Sequence, residues 1–200
     1  MPRVIDTDER NRQVAEAAWR VLVREGLPAL SVRKVAAEAG LPPSSLRYTF
    51  PTQASLRIRA YALVVERLAE RVAAIEPGAD WARAVLLELL PLDESRRLEM
   101  EITVVLGTAA MADGDLRATH HRAHRAVRDL CERVVRAVGV DPADVRVQTE
   151  RLHAMMDGLA LHMIRQGEDE GTDWAVRVVD THLAGLERAP SPRALPPTPG

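Results

Sequence analysis

SVRKVAAEAGLPPSSLRYTF, residues 31–50, is the stretch whose reading decides the fold. Ser31 is a residue type that caps helix N-termini, because its hydroxyl can accept from a free backbone N–H. Val32, Val35 and Ala36 recur at helical spacing and give the first segment one apolar face. Gly40 stands just past that face, where the chain leaves a helix through a left-handed residue. Pro42 and Pro43 have no N–H to donate, which suits the opening of a second helix. Leu46 and Phe50 lie four apart and anchor that helix to the first. The pattern predicts two short helices around a tight turn, as in a helix-turn-helix whose second helix enters the DNA major groove. An ordinary helical hairpin carries the same local signals.

The flanking sequence favours the DNA-reading alternative. Val14, Ala17, Ala18, Val21, Leu22 and Glu25 run through a longer amphipathic helix that Gly26 stops. The run Ser31-Val32-Arg33-Lys34-Val35-Ala36-Ala37-Glu38-Ala39-Gly40-Leu41, then Leu46-Arg47-Tyr48-Thr49-Phe50, resembles the N-terminal domain of tetracycline-repressor (TetR) family regulators. The match covers about the first quarter of the chain. The resemblance implies an all-α protein: a three-helix DNA-binding domain over 1–50, a linker helix at 52–75, and an effector-binding and dimerisation domain over 76–188. Met156-Asp157-Gly158-Leu159-Ala160-Leu161-His162, and Pro91-Leu92-Asp93-Glu94, look like the betaine-repressor-like members.

With Leu46 and Phe50 turned inward, Ser44, Arg47 and Tyr48 face outward. Arg47 is the candidate for sequence readout, since its planar fork can bond both major-groove acceptors of guanine. Ser44 and Ser45, near a helix start, suit phosphate, as do Ser31 and Arg33 on the preceding helix, with Lys34 a weaker candidate. Three positions depart from the family pattern: Arg47 replaces the usual tyrosine, Thr49 a frequent histidine or tyrosine, and Gln53 a phosphate-binding lysine. All three remain candidate DNA contacts, with one charge-assisted bond fewer at Gln53.

Composition agrees with a helical regulator. Hydrophobic residues make up 46% of the 200, and β-branched alternation is scarce. Residues 1–75 carry 12 basic and 8 acidic side chains, and 76–200 carry 15 and 21. That asymmetry suits a basic head on an acidic body. The single cysteine, Cys131, rules out an intrachain disulfide and fits a reducing compartment. No long apolar run and no leader-like N-terminus is present, so a cytoplasmic protein without a membrane partner is expected.

Beyond the head, the periodicity predicts helices near 80–90, 94–112, 115–138, 143–166 and 172–188, and a disordered tail over 189–200 with five prolines in its last eleven residues. The family pairs its last two helices with their copies. Here that places Leu152, Met156, Leu159, Met163, Val179 and Leu183 at a homodimer interface. Candidate effector-pocket residues are Met100, Thr103, Leu106, Met111, His124, Met155 and His162, methionine being adaptable toward loose apolar ligands. Between Asp80 and Glu187 the only aromatics are Trp81 and Trp174, too few for a cage around a quaternary ammonium, so a small apolar effector is expected.

His120, His121 and His124 cluster, with Cys131 two turns on, and His120 and His124 are spaced to chelate zinc. The intervening arginines 117, 122, 125 and 128 oppose a cation there, so no metal or other cofactor is expected, and a metal-responsive regulator is the lesser alternative. There is no phosphate loop, nucleophile elbow or paired metal-ligand motif, which argues against an enzyme. A helical small-molecule carrier is the rival class. The favoured expectation is a repressor released from a palindromic operator in double-stranded DNA by its ligand.

Overall fold

The computed structural model describes residues 7–167 and 170–187. Residues 1–6 and the expected disordered tail over 189–200 lie outside the described residues. Among those residues there is no strand. The chain runs α1 (Thr7–Glu25), a 3-10 turn (Leu27–Ala29), α2 (Val32–Glu38), α3 (Pro43–Thr49), α4 (Gln53–Ala73), α5 (Trp81–Glu88), α6 (Glu94–Ala109), α7 (Gly114–Ala137), α8 (Val145–Arg165) and α9 (Asp173–Glu187). The all-α expectation holds. The largest shift is at the end of α6, expected at 112 and observed at Ala109. There Asp113 Oδ1 accepts from the backbone N–H of Asp115 and Leu116, so the chain turns early to start α7.

The chain packs as two compact units. One joins the residues up to Ala74 with Pro91–Ala126, and the other joins Ile75–Leu90 with the chain from Val127 onward.

In the first unit, α1 is the hub, packed against α2, α4 and α6. Its Val14, Ala17, Ala18, Val21 and Leu22 share one core with Val35 and Ala36 of α2, Leu46 and Phe50 around α3, Leu56, Ala60 and Leu63 of α4, and Ile102 and Leu106 of α6. Trp19 is fully buried and donates its indole N–H to Ala60 O at 2.8 Å, which satisfies its one polar atom. Arg67 of α4 lies 4.8 Å above the Trp19 ring, pairs with Glu16 of α1, and approaches Glu99 of α6 at 3.7 Å. Glu99 is buried, and Arg71 donates to both its oxygens at 3.1 and 2.8 Å. A buried carboxylate is tolerated only with such partners. Tyr61, also buried, meets His120 Nδ1 at 2.9 Å across α4 and α7.

In the second unit, α5 packs on α9, where Arg83 holds Asp180 through contacts of 2.6 and 3.3 Å. Arg128 joins Glu132 of its own helix to Glu150 of α8. Val85, Leu86, Cys131, Val134, Val135, Leu152, Ala175 and Val179 are completely buried.

Candidate nucleic-acid interface

The segment 31–50 folds as its residues dictate. Ser31 is extended, and its Oγ accepts from Lys34 N at 3.3 Å, capping α2. At the other end, Leu41 N reaches Ala36 O at 2.9 Å and Gly40 N reaches Ala37 O at 3.2 Å, the two bonds of a Schellman cap. Gly40 carries φ +66°, the left-handed conformation that closure requires. Gln13 of α1 donates to Ala39 O at 3.0 Å and fixes the turn from outside. Pro42 and Pro43 then stand as N-cap and first residue of α3.

With seven residues, α3 is too short to persist alone. Leu46 and Phe50 hold it, at 1% and 7% exposure, each burial being worth roughly 1.5–3 kcal/mol. The opposite face is open. Ser44, Arg47, Tyr48 and Thr49 are exposed, and Tyr48 reaches 92%, an unusual position for a large aromatic side chain. Gln53 is exposed as the first residue of α4, inside the Thr52–Ser55 capping box.

The cations divide into engaged and available. Lys34 pairs with Glu25 at 2.5 Å, and that bond, ahead of the one from Arg24, holds the Glu25 carboxyl below its ordinary range. Glu38 is held low in the same way by Arg20 and then Arg24. Arg10 of α1 donates to Ser45 Oγ, so Ser45 braces α3. Among the described residues, Arg33 and Arg47 have no carboxylate partner and stand exposed. The face around α3 therefore presents Arg33, Arg47, Ser44, Tyr48, Thr49 and Gln53, while Ser31, Lys34 and Ser45 already have intrachain bonds. The Glu25–Lys34 and Arg10–Ser45 bonds join residues 9 and 35 apart, beyond what local periodicity reveals.

The remaining candidates scatter. In the first unit, Met100 and Thr103 are half-buried on α6, and the Thr103 hydroxyl donates to Glu99 O at 2.8 Å. Leu106 is core, Met111 is 79% exposed, and His124 is exposed. His120 meets Tyr61 as described above.

In the second unit, Leu152, Met156, Leu159, Met163, Val179 and Leu183 are all buried within the chain, none above 9% exposure. Beside them lies an open groove of about 550 Å³, lined by Met155, Trp174, Arg177, Val178, Thr181 and His182. His162 is exposed and stands edge-on to Trp174 at 5.3 Å, while the Trp174 indole donates to Gln166 at 3.1 Å. Gly158 of α8 and Gly185 of α9 have nothing within 4 Å of where a Cβ would stand. Burial pushes the Cys131 thiol up to about 12, which makes it a protonated core group. No described helix is long and apolar enough to cross a membrane.

Comparison with known proteins extends the resemblance to nearly the whole chain. Residues 14–60 match the family described as bacterial regulatory proteins, tetR family, and residues 77–187 match BetI-type transcriptional repressor, C-terminal. The chain is 32% identical over 192 residues to the HTH-type transcriptional regulator PksA of Bacillus subtilis, covering 93% of this chain and 94% of that one. It is 24% identical to the nicotine-responsive repressor HdnoR of Paenarthrobacter nicotinovorans, covering 90% and 96%. Among solved structures, a transcriptional regulator from Rhodococcus sp. Rha1 superposes with a TM-score of 0.78 at 24% identity, over 90% of this chain and 99% of that one. The multidrug binding protein EbrR, solved with ethidium, superposes at 0.64 with 28% identity, over 87% and 98%. The helix-turn-helix with its exposed second helix, and matches that span both parts of the chain, make this protein a member of the TetR family of DNA-binding transcriptional regulators, a family of regulators rather than enzymes.

Proposed function

We propose that the protein is a cytoplasmic homodimeric repressor that binds a palindromic operator and leaves it when a small apolar ligand binds. The observation that carries the reading is the open face of α3, where an unpaired Arg47 stands beside a Tyr48 that is 92% exposed. Neither side chain contributes to the fold, and together they offer a bidentate guanine donor and an aromatic hydroxyl to a duplex. Arg33 adds a cation for phosphate, with Ser44, Thr49 and Gln53 at the rim.

A second copy is the occupant of the groove on α8 and α9. Leu152, Met156, Leu159, Met163, Val179 and Leu183 support this surface from behind, and Met155, Trp174, Val178 and Thr181 make the contact. The open space over Gly158 and Gly185 admits a close helix. Two-fold pairing matches what a palindromic site requires.

For the effector, the half-buried Met100 and Thr103 of α6 are the favoured contacts, since Leu106 is packed in the core and Met111 is at the surface. HdnoR is nicotine-responsive and EbrR was solved with ethidium, which supports an organic ligand carrying hydrophobic rings. Trp81 and Trp174 are the only aromatics between residues 80 and 187, which disfavours the several-ring cage that a choline-type cation needs.

The test is selection of bound duplexes from a random pool at physiological salt, followed by challenge of the selected complex with a panel of apolar compounds. Enrichment of a two-fold symmetric site and release by at least one compound are expected. Absence of any enriched sequence would overturn the reading.

A further inference from the structure

His182 stands in the α8–α9 groove with a polar atom unaccounted for. Its Nε2 is buried and has no hydrogen-bond partner among the described residues. Unpaired buried ring nitrogens are costly, so this atom is left for something outside the chain. Among the described residues, Met155, Trp174, Arg177, Val178, Thr181 and His182 line the groove around it, with no carboxylate among them.

The surrounding charges are basic or engaged. From α8, Arg151 acts on the ring, and burial and that charge both hold the imidazole below its ordinary value of 6.5. From its own helix, Arg177 shares the groove. Asp180 of α9 is held by Arg83 of α5, which removes the nearby acid from reach. Thr181 donates its hydroxyl proton to Arg177 O at 2.7 Å, leaving its oxygen able to accept.

We propose that His182 sets the specificity of self-association: the α8–α9 face closes on a second copy only when this imidazole is neutral and its Nε2 meets a hydrogen-bond partner on the opposing copy. This rests on the dimer reading above. Two-fold symmetry doubles every charge at such a surface, so a protonated ring would face Arg151, Arg177 and their copies with no acid between them. A hydroxyl such as that of Thr181 is the partner chemistry the groove supplies. The sign follows from the lowered imidazole: above pH 6.5 both the free and the paired chain carry it neutral and association is strongest. The free chain already holds the ring low, so it takes up protons only as pH falls under 6.5 into that lowered range; the dimer refuses them, and association weakens.

The test is sedimentation equilibrium of the full chain at pH 7.5, 6.5 and 5.5, beside His182→Gln, which keeps a hydrogen-bonding side chain without titrating. The dimer dissociation constant of the unaltered chain is expected to rise between pH 7.5 and 5.5 by more than about threefold, but by less than about tenfold for each imidazole, because the free ring is already held low. That of His182→Gln is expected to move by less than about threefold, within ordinary variation for a side chain that does not titrate. A parallel rise in both chains, or none in either, overturns the role of His182 and leaves the dimer standing. A chain that is monomeric at pH 7.5 overturns the dimer reading and this inference with it. Should His182→Gln fail to fold, NMR titration of the His182 ring above and below the dissociation constant reads the same linkage. A lower midpoint in the concentrated sample supports the inference, and equal midpoints overturn it.

Discussion

Replacing Arg47 with alanine separates reading from folding. Arg47 is exposed on α3 and has no carboxylate partner among the described residues, so its removal breaks no internal contact. Stability should stay within about 0.5 kcal/mol, the usual range for such surface positions. Binding should not. A bidentate contact to guanine is worth roughly 1–3 kcal/mol. A two-fold complex makes it twice, so the loss is about 2–6 kcal/mol, or about 30-fold to about 20,000-fold in affinity. The assay is fluorescence anisotropy on a selected operator and on a scrambled duplex across a salt series. The loss should fall on the operator, shrinking the ratio between the two duplexes. A loss equal on both duplexes, with the salt slope reduced by about two per dimer, would refute base readout and make Arg47 a phosphate anchor. An operator affinity within about threefold of the original would refute the assignment of α3 as the reading helix.

Other perturbations test the scaffold. Gly40→Ala meets no neighbour within 4 Å but forces a Cβ into φ +66°, so thermal unfolding should show a loss of about 1–2 kcal/mol, without change in operator preference. Glu99→Gln leaves Arg71 facing a neutral amide at a buried position, and denaturant unfolding should show a loss of about 1–3 kcal/mol. Cys131, with a thiol pushed up to about 12, should resist thiol reagents at pH 8 in the folded chain and react fully in guanidinium. The lowered carboxyls of Glu25 and Glu38 contribute stability above their ordinary value of 4.5 and lose it as pH falls below. Melting temperature should therefore drop between pH 5 and 3, and drop less in a Glu25→Gln, Glu38→Gln double variant.

Local signals carried the fold. Ser31 as a cap, Gly40 as a left-handed stop and the Leu46–Phe50 anchor are properties of neighbouring residues, and each reads directly from spacing. The open side of α3 followed from the same geometry, because fixing the inward pair fixes what faces out. The charge wiring did not follow. Arg67 meets Glu16 across 51 residues and Arg71 meets Glu99 across 28, and nothing in local patterning selects those partners among so many arginines and glutamates. Lys34 and Ser45 looked free in sequence for the same reason.

The pairing surface shows a different limit. An apolar stripe at helical spacing states that a face is covered, not by which chain. Met156 and Leu159 are buried within their own chain, and the strip proposed to meet a partner, Met155, Val178, Thr181 and His182, is mixed and has a weaker pattern. His182 drew no attention in the sequence, since a lone histidine on a terminal helix has no motif to mark it.

The central claim is that α3 reads bases in the major groove as one of a symmetric pair. Methylation interference at guanine N7 on a selected operator tests it most directly, because the N7 methyl blocks an arginine fork without touching phosphates. Two sets of interfering guanines are predicted, related by a two-fold axis, separated by about one helical turn or a multiple of it, and lost in Arg47→Ala. A single set, or two sets unchanged by removing Arg47, would contradict it.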